Sequence, residues 1–492
     1  MDAFNHCLIA AYMAGGEERR PQLLRDSVWL TAADLISISA GLLGQVILTH
    51  ALLSEEYGLF VVLIDAFALM FMLIDAGLPT IITRDIPRAR GQARDLVHRT
   101  LKIQAVLAAI FLPIGLVSGF LIWPDIPVLL LICCSLIPIF HIFTYAHRSA
   151  LRALGEARQE AVVKVLERLV VTSGYAILLW NGVSNPTWYA LSFLSGVIIS
   201  LGYAIWQGEK ITLLYTGEEG EDVLLDAKQL LLSALPFAVT LGILPLLGRM
   251  EKVMLASWDT YSSAALFHVA YLAYLAGLTV PQAMRAAFLP ILGDSRKESQ
   301  ITLNEVRKAR NLVNLLIPIG MIGGAIIVYF LFPLAFPEQY NDGSMGRTAF
   351  ELFLLMLAGW AATMLAVPTY VEVCAGKRPW LFTRMLGEAA VIAIIVAIFA
   401  IPAWGVMGAV ISSISAAIAL LFSSIYHSNT GFDANQGYML ASVLCFSTAV
   451  FIVWLGLNNA VSVPTSIVVG IILCLAPWML MKPEFKVSLE CE

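Results

Sequence analysis

Charge is what this sequence has least of. Only 13% of its 492 residues are Asp, Glu, Lys or Arg, while 59% are hydrophobic; soluble globular chains carry about 25% charged residues. So little polar surface cannot cover a water-facing body of this length, so lipid must cover most of it. The net charge of −5 is small and the basic residues form no single face, which excludes a nucleic-acid partner. The seven cysteines, Cys7, Cys133, Cys134, Cys374, Cys445, Cys474 and Cys491, lack zinc-site spacing. They read as small core hydrophobes rather than a disulfide framework. No nucleotide-binding loop and no zinc motif occurs, so nucleotide-driven work within this chain is excluded.

What is present is a succession of apolar runs. Crossing about 30 Å of hydrocarbon takes about 20 mostly apolar residues in a helix, and lipid leaves backbone groups no partner outside such helices. About 14 segments meet this length: 28–52, 57–82, 101–122, 127–147, 162–180, 187–206, 230–257, 261–290, 312–333, 349–373, 381–401, 404–426, 437–457 and 464–481. Connections as short as Trp123-Pro124-Asp125-Ile126-Pro127 and Ile401-Pro402-Ala403-Trp404 force antiparallel hairpins. An all-α integral membrane protein is predicted.

Orientation follows from Lys and Arg, which favour the cytoplasmic side. With the N-terminus inside, of 30 basic residues only Arg249, Lys252 and Arg347 fall outside and only Lys102, Arg168 and Arg285 fall within helices. The remainder recur on alternate loops, through Arg19, Arg84, Arg94, Arg148, Arg152, Lys164, Lys210, Arg296, Lys297, Lys377, Arg378, Arg384, Lys482 and Lys486. Both termini are then cytoplasmic, in a cell inner (plasma) membrane. Residues 1–27 read as a cytoplasmic arm: Asp2 stands where a signal peptide needs a basic residue.

The acidic stretch 207–229, with Glu209, Glu218, Glu219, Glu221, Asp222 and Asp226, reads as a solvated linker. It separates a first lobe, 28–206, from a second, 230–426, followed by two further helices and a tail in 427–492. A faint self-match, Val46-Ile47-Leu48 to Leu59-Phe60 against Val253-Met254-Leu255 to Leu266-Phe267, falls at the same place in each lobe and predicts two six-helix repeats.

Several short motifs resemble the polysaccharide and O-antigen flippases of the multidrug/oligosaccharidyl-lipid/polysaccharide exporter superfamily. Leu52-Leu53-Ser54-Glu55-Glu56-Tyr57-Gly58-Leu59-Phe60 is similar to their first turn. Asp75-Ala76-Gly77-Leu78-Pro79 through Arg84 is similar to the end of their second helix. Ala150-Leu151-Arg152-Ala153-Leu154-Gly155 resembles the segment after their fourth, and Arg249-Met250-Glu251-Lys252-Val253-Met254-Leu255 the end of their seventh. The resemblance implies two lobes around a central cavity that opens alternately to either side. It implies a polyprenyl-pyrophosphate-linked oligosaccharide as cargo, and a polysaccharide polymerase and glycosyltransferases as the enzymes working beside it. No cofactor is implied beyond a coupling proton or sodium ion.

Independently of family, ionisable residues in apolar helices are candidates for function, since each costs about 2.5–3.5 kcal/mol at mid-membrane on insertion scales. Asp34, Asp65, Asp75, His141, His147, Glu167 and Arg168 stand in the first lobe. Arg249, Glu251, Lys252, His268, Arg285, Glu351, Glu372 and Glu388 stand in the second. A pyrophosphate needs cations, Arg above all for its planar fork, which points to Arg249, Lys252 and Arg285 as substrate-binding residues. The competing reading makes Arg249, Glu251 and Lys252 a local ion-pair cluster. Asp34, Asp75, Glu251 and Glu388 are the candidates for ion coupling, against a packing role for each. His141 and His147 do not share a helix face, so no metal site is expected. His50 and His268 read as packing residues.

Three rivals to the oligosaccharide-lipid flippase are open: a peptidoglycan lipid-precursor flippase, a multidrug or small-molecule cation antiporter of the same superfamily, and a membrane glycan polymerase or ligase. The last needs a sizeable outer loop, and the longest here runs only from about Leu334 to Thr348.

Overall fold

A computed structural model describes residues 20–219, 223, 226–294, 299–375, 379–430 and 436–480. The expected arm through Arg19, the loop residues Glu221, Asp222, Arg296, Lys297, Lys377 and Arg378, and the tail with Lys482 and Lys486 lie outside the described residues, as do Cys7 and Cys491. The described residues form α-helices with short 3-10 turns and no strand. The chain divides into two compact units, Met1–Val253 and Met254–Glu492.

The first unit runs through α1 (Arg20–Ala51), α2 (Ser54–Met70), α3 (Met72–Asp75), α4 (Leu78–Asp85), α5 (Ala93–Ile122), α6 (Val128–Ala153), α7 (Ala157–Trp180) and α8 (Pro186–Leu214) into α9 (Ala227–Trp258). The second holds α10 (Tyr261–Gly277), α11 (Thr279–Asp294), α12 (Ser299–Ala335), α13 (Ala349–Cys374), α14 (Pro379–Trp404), α15 (Val406–His427), α16 (Gln436–Leu457) and α17 (Val463–Leu480).

Helices lie at every segment expected to span. By length and composition, 11 of the described helices or near-continuous pairs can cross a membrane, and α9 makes a twelfth if Ala227–Ile243 and Pro245–Trp258 count as one bent span. The apolar part of α17, Val463–Trp478, is shorter. The helix α7 is absent from that set, and its sequence gives the reason: Glu160, Lys164, Glu167 and Arg168 crowd its first half.

Each of those charges has a partner. Glu160, with no side-chain exposure, accepts from Arg152, whose Nε is 2.9 Å away, and from Arg148 at 3.4 Å, both on α6. Lys164 pairs with Asp34 of α1. Glu167 takes His141 of α6 at 3.0 Å and lies 3.7 Å from Arg168. Pairing of this kind is what lets ionised groups persist in an apolar helix packed among others. Thr172 adds a hydrogen bond to the Ala40 carbonyl, 2.9 Å, and Tyr175 packs beside Gly44 of α1.

The second sequence-derived segment, 57–82, is broken in three. Ala76 and Gly77 both adopt positive φ, 47° and 68°, which turns the chain between α3 and α4. Glycine is required at 77 for a second reason: a β-carbon there would meet the Ala238 nitrogen of α9 at 2.6 Å and the Ala234 oxygen at 2.9 Å. The acidic linker is shorter than expected, because α8 continues as helix through Leu214. Glu209 explains this: it accepts from Arg94 of α5 at 3.0 Å and pairs with His98, so the last turns of α8 have packing partners.

In the second unit α13 is the central helix. Buried along most of its length, it packs against α10, α11, α12, α15 and α16, with Ala358, Gly359, Ala361 and Ala362 keeping its profile thin where neighbours cross. Trp360 donates from Nε1 to the Gly277 carbonyl at the end of α10, 2.8 Å, and its ring lies over Gly320 of α12.

Candidate functional site

Arg249 and Lys252 are three residues apart on α9 and so share one face. That face meets Asp65 of α2, a buried carboxylate. Lys252, only 4% exposed, forms an ion pair with Asp65. Arg249 stands 3.6 Å from the same carboxylate through Nε and keeps 36% of its side chain exposed. The local cluster expected from sequence paired these cations with Glu251. Both cations form ion pairs between helices, with Asp65, and Glu251 beside them is itself 1% exposed. Of the two cations around Asp65, Arg249 is the accessible member and Lys252 the buried one.

Arg285 of α11 lies in an aromatic clamp. Its guanidinium is 5.1 Å from the ring centroid of Tyr370 on α13 and 5.9 Å from that of Phe382 on α14. The two rings meet edge to face at 5.2 Å. A guanidinium this near two aromatic rings gains cation–π attraction without a counter-charge. Among the described residues no carboxylate lies within ion-pair distance of Arg285, and its Nε has no hydrogen-bond partner.

The expected ion-coupling carboxylates fall in different surroundings. Asp34 is engaged by Lys164. Asp75 closes the last turn before the α3–α4 break, where Oδ2 accepts from the Gly77 N–H at 3.3 Å. Glu388 of α14 accepts from Arg384 at 2.9 Å, from Ser423 at 2.5 Å and from His427 at 3.1 Å. Glu372 is bound by the Asn429 backbone N–H, 3.0 Å, and by the Thr430 hydroxyl, an arrangement that ties the end of α15 to α13. Arg84, outside the apolar segments, is held charged and pushed upward by its bidentate contact with Asp85, 2.6 and 2.8 Å.

Sequence reasoning placed Asp65 among the intramembrane charges but not in the site. Its role depends on which helix faces α9, and nothing local to residue 65 encodes that. The Tyr370 and Phe382 clamp was likewise invisible, since the two residues sit on separate helices far from Arg285 in sequence.

The structure thus defines a class, a multi-helix membrane fold with ionised side chains paired across its helices. The chain belongs to the polysaccharide biosynthesis protein family, whose model matches residues 23–295. Among solved structures it is similar to lipid II flippase MurJ in an inward closed conformation, at 12% identity and TM-score 0.63, covering 92% of this chain and 98% of that one. It is also similar to an inward-facing multidrug resistance MATE family transporter of the MOP superfamily, at 14% identity and TM-score 0.57, covering 80% of this chain and 94% of that one. A MOP superfamily transporter from Pyrococcus furiosus matches at 14% identity and TM-score 0.55, over 85% of this chain and 96% of that one. These likenesses establish the fold. No curated protein sequence matches the chain.

Proposed function

We propose that this protein flips polyprenyl-pyrophosphate-linked oligosaccharide units from the cytoplasmic to the outer leaflet of the cell membrane, for surface polysaccharide assembly. Membership of the polysaccharide biosynthesis family carries the reading. Arg249 and Arg285 supply a mechanism: each is a guanidinium on an apolar helix that keeps hydrogen-bonding capacity to offer. A pyrophosphate cannot shed its water into hydrocarbon without replacement donors, and a planar guanidinium presents them in a fork that fits phosphate oxygens. Lys252 and Asp65 form the base on which Arg249 rests; an arriving headgroup displaces Asp65 only from the looser of its two partners.

Asp75 is the proposed coupling carboxylate. Asp34 and Glu388 are each neutralised by a neighbouring cation, whereas Asp75 accepts a single backbone N–H beside a break in the helix, where a proton or sodium ion can be bound and released. Both termini lie in the cytoplasm in this scheme, as the distribution of Lys and Arg requires.

A second cargo has its own support. The likeness to a solved lipid II flippase extends over 92% of this chain, and a peptidoglycan lipid precursor presents the same pyrophosphate. The test is transport by purified protein in liposomes loaded in one leaflet with either lipid. Flipping of an oligosaccharide-linked polyprenyl pyrophosphate in preference to the peptidoglycan precursor is expected; the reverse preference overturns the cargo assignment, and failure to move either lipid overturns the flippase.

A further inference from the structure

A groove of 720 Å³ runs along the second unit between α14 and α15, and is lined by the polar Arg384, Glu388 and Ser423 together with Ile392, Ile418 and Phe422. Its volume is within the ~300–1,000 Å³ of ligand sites. The polar end is ordered by a network. Arg384 Nε donates to Glu388 at 2.9 Å, Ser423 Oγ donates to the other carboxylate oxygen at 2.5 Å, and His427 Nε2 lies 3.1 Å from it. Nothing in the flipping scheme uses this network.

Helical spacing places Arg384 and Glu388 on the same stripe of α14 as Ile392, Ile395 and Phe399. These apolar residues are 43%, 50% and 74% exposed, a surface suited to hydrocarbon on a helix apolar enough to span a membrane. The stripe therefore passes from a charged pair to oil along one helix face, and from Glu388 to Phe399 it covers roughly 16 Å at 1.5 Å per residue. The exposed aromatics Trp380 and Tyr426 flank the charged end, as aromatics do where hydrocarbon meets headgroups.

We infer that the α14–α15 groove is a binding site for an aminophospholipid of phosphatidylethanolamine type, seated with its acyl chain along Ile392–Phe399 and its zwitterionic headgroup on the Arg384–Glu388 pair. The local charge decides the class. Arg384 commits Nε to Glu388 and leaves its terminal nitrogens at an exposed side chain, 66% accessible, to receive a phosphate. Glu388 holds three donors of the roughly four its lone pairs accept and is 35% exposed, open to an ammonium N–H. A cation and an anion side by side match a headgroup that carries both signs. An anionic lipid would meet Glu388 as a like charge, and a choline headgroup has no N–H to donate.

The test is retention of lipid by the full-length protein. The purified chain is equilibrated in mixed micelles with phosphatidylethanolamine, phosphatidylglycerol and phosphatidylcholine in equal amounts, and bound lipid is read by native mass spectrometry. Phosphatidylethanolamine is expected to exceed either competitor by about tenfold, and Arg384→Gln with Glu388→Gln to abolish that preference. Should that variant fail to fold, judged by melting in lipid-free detergent, Ile392→Trp, which fills the groove from an exposed position, is expected to lower retention to the same extent. Equal retention of the three lipids, or unchanged preference in a folded variant, overturns the site. Flipping in liposomes of phosphatidylcholine alone keeps the two proposals separable, because it tests the flippase without the bound lipid.

Discussion

Asp65 is shared between Lys252 and Arg249: the lysine pairs with it in a nearly closed environment and the arginine stands 3.6 Å off with a third of its side chain free. One carboxylate thus holds one cation firmly and another loosely, and the two partners should respond differently to its loss. Asp65→Asn is expected to cost about 3–5 kcal/mol, the usual consequence of breaking a buried ion pair by removing one member. Lys252→Met in the same chain should restore most of the stability but not transport. Thermal melting alongside a flipping assay separates the two effects; a double variant that still melts low would show that Asp65 supports something other than Lys252.

Arg285 should be sensitive to shape as well as charge. Removing a charge-assisted phosphate contact costs about 1.5–3 kcal/mol, so Arg285→Ala is expected to lower transport by about 10- to 100-fold. Arg285→Lys keeps the charge but loses the guanidinium fork and its reach to Tyr370 and Phe382, and should fall between. Equal activity of the lysine variant and the natural chain would remove the clamp from the mechanism.

Asp75→Asn tests coupling. Transport by the natural chain should rise when an ion gradient is imposed and fall when it is collapsed, whereas the variant should run at one rate in both conditions. The measurement is the ratio of initial rates with and without the gradient, and an unchanged ratio in the variant counts against a coupling role.

Gly77→Val probes the break between α3 and α4. A left-handed residue with a β-carbon costs about 1–2 kcal/mol, and forcing that carbon against the backbone of α9 adds about 1–3 kcal/mol of overpacking. The variant is expected to melt lower and to be less abundant in the membrane. Gly323→Val, at a glycine with open space around its β-carbon position, is the control.

Much of the architecture was legible because the bilayer permits so few solutions. A run such as Leu440–Leu457 can only be a helix in hydrocarbon, and helices appear at every expected segment. Span counting was less secure where the two demands on a residue conflict. Glu160, Lys164, Glu167 and Arg168 make α7 too polar by composition, and only their partners on α1 and α6 explain how the helix tolerates them. The same limit hid the site. Arg249, Lys252 and Arg285 stood out as charges in oil, but Asp65, Tyr370 and Phe382 reach them across helices, and that pairing is a property of packing. The extended end of α8 was hidden for a related reason: Glu209 looks like one acid in an acidic linker until Arg94 and His98 are set beside it.

Trp360 carries a consequence for how the second unit can move. Where α10 gives way to α11, the Gly277 carbonyl receives the indole N–H of Trp360, while the same ring rests on Gly320 of α12. One side chain is thereby a hinge pin for three helices. Any motion that separates the end of α10 from α12 must therefore either carry Trp360 of α13 with it or break the indole N–H bond to the Gly277 carbonyl.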